Sequence, residues 1–254
     1  MASEFDGPRT AIVTGGARRI GEAICRALAR QGWHLLIHCQ NSRDDAEALA
    51  ATLGNSKVVA AELADPAACE TIVAALDGMP PPRLLVNNAS RFVYDRAEDF
   101  TIAEWDAHHA INLRAPAFLS QAFAARVGDA GGLIVNLLDA KLSQPNPDFF
   151  SYTISKMGFA ALTELMARAY GSRRIRVCGI APSVTLLSGR QNLDNFDAVH
   201  RLNLLGRGVS VEDIVRALEF IVATPTLTGE TIVIDAGQRF LGLARDVQFL
   251  EHET

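Results

Sequence analysis

Seven short runs rich in Val, Ile and Leu, separated by segments of helix length, decide what this chain can fold into. The runs are residues 10–13, 34–38, 58–63, 84–87, 132–138, 176–180 and 231–234. They do not alternate strictly between apolar and polar residues, which is the pattern of strands covered on both faces. Helical stretches separate them at 20–31, 43–53, 104–126 and 152–170, and Asp65-Pro66 reads as an N-cap followed by a first-turn proline. Strand–helix alternation implies right-handed crossovers and a parallel sheet. The chain is therefore expected to form one α/β domain of 254 residues, a doubly wound parallel sheet of about seven strands with helices on both faces.

On such a sheet ligands bind at the carboxyl ends of the strands, so the turns there carry the functional information. The first turn reads Thr14-Gly15-Gly16-Ala17-Arg18-Arg19-Ile20-Gly21 and leads from a strand into a helix. Gly15 and Gly16 permit a tight turn with close backbone approach, and Gly21 lets the helix lie against the sheet. Free N–H groups and the helix dipole then face a pyrophosphate, as in the Rossmann dinucleotide fold. NAD binders usually place a carboxylate at the end of the second strand to hold the ribose 2′-OH. This chain has Cys39-Gln40-Asn41-Ser42-Arg43 there, with no acid before Asp44. Arg18 or Arg19, with Ser42 and Arg43, instead suits a 2′-phosphate, and NADP is the expected cofactor.

Composition removes other function classes. A net charge of −5 gives no basic footprint for nucleic acid. No apolar run approaches the ~20 residues of a membrane span. The start, Met1-Ala2-Ser3-Glu4-Phe5-Asp6, is acidic and does not read as a signal peptide, so a cytoplasmic enzyme is expected. Cys25, Cys39, Cys69 and Cys178 form no CxxC pair and read as small buried residues. The adjacent His108-His109 faces opposite ways, and no metal site is expected.

Tyr152-Thr-Ile-Ser-Lys156 opens a helix, and its four-residue offset puts both side chains on one face. An ammonium beside a phenol is expected to lower the phenol pKa and make it a usable acid or base near neutral pH. Alone the pair is common. It is accompanied by Asn87-Asn88-Ala89-Ser90 closing the fourth strand and by Asn112 in the following long helix. With these residues the chain closely resembles the short-chain dehydrogenase/reductase family from about Arg9 to Gly237. The resemblance implies that Asn87 supports the sheet and cofactor, Asn112 positions a proton-relay water, Tyr152 is the catalytic acid, and Lys156 binds the nicotinamide ribose. It further implies cofactor contacts from Gly15, Arg18, Arg19, Ile20, Gly21, Ser42, Asn88, Ala89 and Pro182.

One position departs from the family. Most members carry a serine thirteen residues before the tyrosine, and here that residue is Asp139. Ser143 could substitute, the chain could be a non-catalytic NADP(H)-binding sensor, or the acid could itself function beside Tyr152. The third reading has support in a second resemblance. Pteridine reductases of the family carry Asp there, Arg in the glycine loop, Ser after Asn-Asn-Ala and an aromatic residue two positions on. This chain has Asp139, Arg18, Ser90 and Phe92. The resemblance implies NADPH-dependent reduction of a C=N bond in a dihydropterin or dihydrofolate-like substrate. Asp139 and Tyr152 would relay the proton, and Arg18, Ser90 and Phe92 would clamp a flat ring by hydrogen bonds and stacking. The alternative activity is carbonyl reduction or alcohol oxidation. Residues 183–208 read as a substrate lid and 240–254 as a tail beyond the sheet. A homotetramer or homodimer is expected, with Arg239 or Arg245 approaching a neighbour's site.

Overall fold

The computed structural model describes Phe5, residues 7–187 and residues 193–250, with backbone alone for 193–195. In chain order it contains β1 (Thr10–Val13), α1 (Arg19–Arg30), β2 (His34–Cys39), α2 (Arg43–Leu53), β3 (Ser56–Ala60), α3 (Ala68–Ala74) and β4 (Pro82–Asn87). There follow α4 (Ile102–His109), α5 (Ala115–Val127), β5 (Gly132–Leu137), α6 (Phe150–Tyr170), β6 (Ile175–Pro182), α7 (Leu193–His200), α8 (Val211–Ala223) and β7 (Thr231–Ile234). The strands form one sheet in the order β3-β2-β1-β4-β5-β6-β7, and every pairing is parallel.

The expected doubly wound architecture is therefore present, and the continuous apolar runs explain it. Alternate residues of β1 face opposite layers. Ala11 and Val13 pack with Ile24, Leu28, Ile214 and Leu218 of α1 and α8, while Ile12 packs in the layer of Leu119 and Phe123 of α5. All four residues of β1 and all six of β5 are buried. The sheet reverses direction of winding between β1 and β4, so their carboxyl ends open a crevice at the switch point.

Three expectations change in detail. The strand expected over 58–63 runs over Ser56–Ala60, because the chain leaves the ladder after Ala61 donates to Cys39 O (3.0 Å) and turns at Glu62. Asp65 does accept from Ala67 N at 2.9 Å, but it closes a turn ahead of α3 rather than capping the helix directly. The long helix expected over 104–126 is divided. Thr101 caps α4 by accepting from Glu104 N, and a π turn (Ala110–Arg114) separates α4 from α5. Pro116 offers no N–H to the carbonyl of Asn112 four residues earlier, so regular α-helical bonding fails there.

Of the lid expected over 183–208, residues 188–192 lie outside the described residues, as do 251–254 of the expected tail. Among the described residues no helix is long and apolar enough to cross a membrane, and no cluster of His, Cys, Asp and Glu could hold a metal ion. Cys25, Cys39 and Cys178 are buried and all four cysteines are free.

Candidate active site

A cleft of about 300 Å³ lies over the carboxyl ends of the strands. Arg19, Ile20, Asn88, Lys156 and Pro182 line it, together with Ser90, Phe92, Asp139 and Tyr152. Gly15, Gly21 and Ala89 pack closely on one another at the start of α1. A Cβ at Gly21 would lie 2.1 Å from Gly15 O and 2.8 Å from Asn88 Nδ2, so only glycine allows α1 to start this close to the turn. Gly15 has φ +60 and faces Ala89, whose Cα would be 3.1 Å from an added Cβ. The turn is also clamped from β4. Asn88 Nδ2 donates to Thr14 O at 2.9 Å and to Gly15 O at 3.1 Å, while the Asn88 and Ala89 N–H groups donate to Thr14 Oγ1.

His38 completes the clamp from β2. Its Nδ1 accepts from Gly15 N at 3.2 Å and its Nε2 faces Ala61 O at 3.0 Å, which fixes the tautomer with the proton on Nε2. Burial pushes its pKa below the ordinary value, consistent with a neutral ring accepting from Gly15. Neither His38 nor Thr14 was evident from sequence, since both look like ordinary strand residues.

The two loop arginines separate. Arg19, at φ +56, turns into the cleft and donates to Leu187 O at 2.9 Å. Arg18 points away and pairs with Asp45 of α2. The structure thus places Arg18, expected at the substrate, outside the cleft lining, and the loop arginine that lines the cleft is Arg19. The left-handed backbone at Arg19 rotates the two side chains apart, which residue spacing does not reveal. Arg43 is paired with Glu47 at 2.7 Å, and Ser42 occupies the N-cap position of α2 without a side-chain capping bond. Both arginine pairs are exposed, where such pairs contribute only ~0–1 kcal/mol, so a phosphate dianion can compete for either cation.

At the strand end of β5, Asp139 is extended (φ −150) and bonds in two directions. Its Oδ1 accepts from Lys141 N at 2.8 Å, and its Oδ2 accepts from the Tyr152 hydroxyl at 2.7 Å. Tyr152 is buried, and its pKa is pushed well above the usual phenol value by burial and then by the Asp139 carboxylate. This corrects the expectation that Lys156 lowers it. The Lys156 ammonium stands 5.9 Å from the ring centroid and donates instead to Leu137 O at 2.7 Å. Burial lowers the Lys156 pKa to about 8, with Asp139 opposing the shift.

Asn112 is fully buried in the π turn, and its side chain is already engaged. Nδ2 donates to Arg91 O (2.9 Å) and Ser155 Oγ (3.0 Å), and Oδ1 accepts from Arg91 N (2.8 Å) and Ser90 Oγ (3.2 Å). The side chain fixes the segment carrying Ser90 and Phe92. It does not line the cleft, where a relay water was expected of it. Asn87 is equally internal, donating to Asn136 Oδ1 (2.9 Å) and Ser120 Oγ (3.2 Å).

Phe92 lines the cleft with one face stacked on Phe149, centroids 4.1 Å apart and planes at 14°, and it meets Tyr152 edge-on at 4.7 Å. A buried relay holds this loop to α6. His108 Nδ1 contacts Ser151 Oγ at 2.6 Å, Ser151 Oγ donates to Asp95, and Val93 N donates to His108 Nε2 at 3.2 Å. His108 is therefore a structural residue, while His109 stacks on Trp105 on the other side. Ser143, the alternative hydroxyl, is exposed at the end of a short 3-10 turn and does not line the cleft. Arg245 and Arg239 line the cleft of their own chain, paired with Asp148 and Asp235.

The short chain dehydrogenase model matches residues 9–197. This chain belongs to the short-chain dehydrogenase family. D-threitol dehydrogenase of Mycolicibacterium smegmatis is 32% identical, over 90% of this chain and 92% of that protein. Pteridine reductase 1 of Leishmania tarentolae is 31% identical, over 89% and 95%. The crystal structure of FolM alternative dihydrofolate reductase 1 from Brucella canis, complexed with NADP, superposes with a TM-score of 0.89 at 36% identity, covering 94% of this chain and 97% of that one. Family membership makes this chain an oxidoreductase, and the likeness to each of these proteins covers 89% or more of the chain.

Proposed function

We propose that the protein is an NADPH-dependent reductase of a C=N bond in a dihydropterin or dihydrofolate-like substrate. The observation that carries this reading is the Asp139–Tyr152 hydrogen bond of 2.7 Å at the end of β5, facing Phe92 in the cleft. The likeness to a pteridine reductase and to FolM supports it. The glycine cradle at Gly15 and Gly21 fits a dinucleotide pyrophosphate, because the space a Cβ would fill is already closed by backbone. Gly15 to Gly21 and Arg19 would hold the phosphates, Lys156 the nicotinamide ribose, and Arg18, Ser42 and Arg43 the 2′-phosphate. A bound reduced nicotinamide would supply the hydride.

The chain's own residues supply the proton and the orientation. Phe92 presents a ring for a flat heterocycle to stack on, and Ser90 adds a hydroxyl at its edge. Tyr152 stays protonated, since burial and the adjacent carboxylate both oppose the phenolate. Transfer of its proton to the substrate nitrogen would leave phenolate and carboxylate side by side, two like charges that do not coexist at hydrogen-bond distance. The pair therefore takes one proton from solvent for each proton it delivers, and Asp139 is the residue that receives it. A hydroxyl-bearing serine at this position would lack that capacity.

The test is cofactor oxidation with NADPH and NADH against 7,8-dihydrobiopterin, dihydrofolate and a ketose. Turnover of a dihydropterin with NADPH supports the proposal. Turnover of the ketose alone would establish the carbonyl reductase reading, which the likeness to D-threitol dehydrogenase favours.

A further inference from the structure

The chain's own tail lines part of the cleft, and one buried carboxylate holds it there. Asp148 lies two residues before α6 with its side chain 3% exposed. Its Oδ2 accepts from Arg245 Nε at 2.7 Å and from Asp246 N at 2.8 Å. Its Oδ1 accepts from Arg245 Nη2 at 2.8 Å and from the Tyr94 hydroxyl at 3.3 Å. Lys141 donates to the Asp148 carbonyl and pairs with Asp246 at 3.4 Å. Phe249 then packs on Tyr94 (4.6 Å) and Phe149 (6.0 Å).

These contacts reach the catalytic pair through few intermediaries. Phe149, the neighbour of Asp148, is held at φ +53 and stacks on Phe92, which meets Tyr152. A left-handed backbone at a phenylalanine persists only where its surroundings enforce it. Arg245, Asp246, Val247 and Gln248 meanwhile line the same cleft as Asp139 and Tyr152. About 300 Å³ must hold both the reacting end of a cofactor and the substrate, so the tail leaves space for a compact ring and little beyond it.

We propose that the Asp148–Arg245 pair is a latch that determines substrate size. It holds residues 243–250 as a wall across the cleft and disfavours substrates with a bulky substituent on the reacting ring, which selects a dihydropterin over a dihydrofolate within the proposed function. The bidentate geometry suits this role, since two parallel bonds fix both position and orientation of the tail. The inference rests on the cleft being the site of the family's reaction. It relies on the dihydropterin reading for the pair of substrates it separates.

The experiment compares the full-length protein with Arg245→Met, Asp148→Asn and Arg245→Lys. Hydrogen exchange over residues 139–153 and 243–250 should accelerate in the first two variants and less in the third; unchanged exchange overturns the latch. The ratio of kcat/KM for 7,8-dihydrobiopterin over dihydrofolate should fall at least ~10-fold in Arg245→Met, mainly through a lower KM for dihydrofolate. NADPH affinity, read by fluorescence, should stay within about 2-fold, because the bonds described for Asp148 and Arg245 do not reach the glycine turn. Faster exchange with an unaltered ratio overturns the size-selection role. If the unmodified protein reduces neither pterin, the proposed function fails separately. A small and a bulky ketone then read the same ratio.

Discussion

Replacing Asp139 tests the proton-delivery argument, because the substitution can be chosen to spare the fold. Asp139 has two bonds of different purpose: Lys141 N on Oδ1, which closes a turn, and the Tyr152 hydroxyl on Oδ2. Asn and Ser can both accept the first, as they do at helix caps. Neither can take up a proton, so both lose the second function. Hydrogen bonds to a charged group contribute ~1.5–3 kcal/mol, and positioned proton transfer is worth ~10²–10⁴ in rate. We therefore expect Asp139→Asn to lower kcat for a dihydropterin ~10²–10³-fold, with a smaller change in KM. Asp139→Ser should lose dihydropterin reduction to a similar extent while gaining turnover of simple ketones, since the serine hydroxyl can donate to a carbonyl oxygen. Loss of reduced-nicotinamide absorbance at saturating cofactor measures both, and circular dichroism confirms the fold. If both variants keep dihydropterin kcat within ~3-fold of the unmodified protein, the proton-delivery role of Asp139 is refuted.

Two further outcomes follow from the same geometry. Gly21→Ala should abolish dinucleotide binding by calorimetry and destabilise the fold by ~1–3 kcal/mol, since its Cβ would meet Gly15 O at 2.1 Å; retained affinity would contradict the cradle. Lys156, with its pKa lowered to about 8 by burial, should lose its charge as pH rises through that value, so kcat/KM for the cofactor should fall above pH 8. A limb that persists unmoved in Lys156→Arg would assign it to another group. The sign for stability is the reverse: the folded protein binds this proton more weakly than the unfolded chain. The contribution of Lys156 is then fully present above the ordinary value of 10.5 and lost as pH falls through about 8.

The sheet is largely legible in the sequence, because strands buried on both faces write themselves as unbroken apolar runs. β1, α2 and β7 have the expected bounds, and most other strands differ by one or two residues. The division of the long helix at Asn112 does not show in the apolar pattern, although Pro116 carries the signal. In the site, Tyr152, Lys156, Asp139, Ser90 and Phe92 do share one cleft, since each lies at or just beyond a strand end or on the first turns of α6. What was illegible depends on backbone torsion or on contacts between distant segments. The choice between Arg18 and Arg19 turns on a single positive φ. The clamp of His38 on Gly15 joins β2 to the turn after β1, and the pairing of Asp148 with Arg245 spans 97 positions. The rise in the Tyr152 pKa, where a fall was expected, comes from burial, which residue spacing does not report.

The measurement that bears most directly on the central claim is a crystal structure of the ternary complex with NADP and a pterin. The account predicts the pterin ring stacked on Phe92, with ring nitrogens within about 3.2 Å of Tyr152 Oη or an Asp139 oxygen. A pterin bound elsewhere, or a ring that leaves the Asp139–Tyr152 pair untouched, would contradict it.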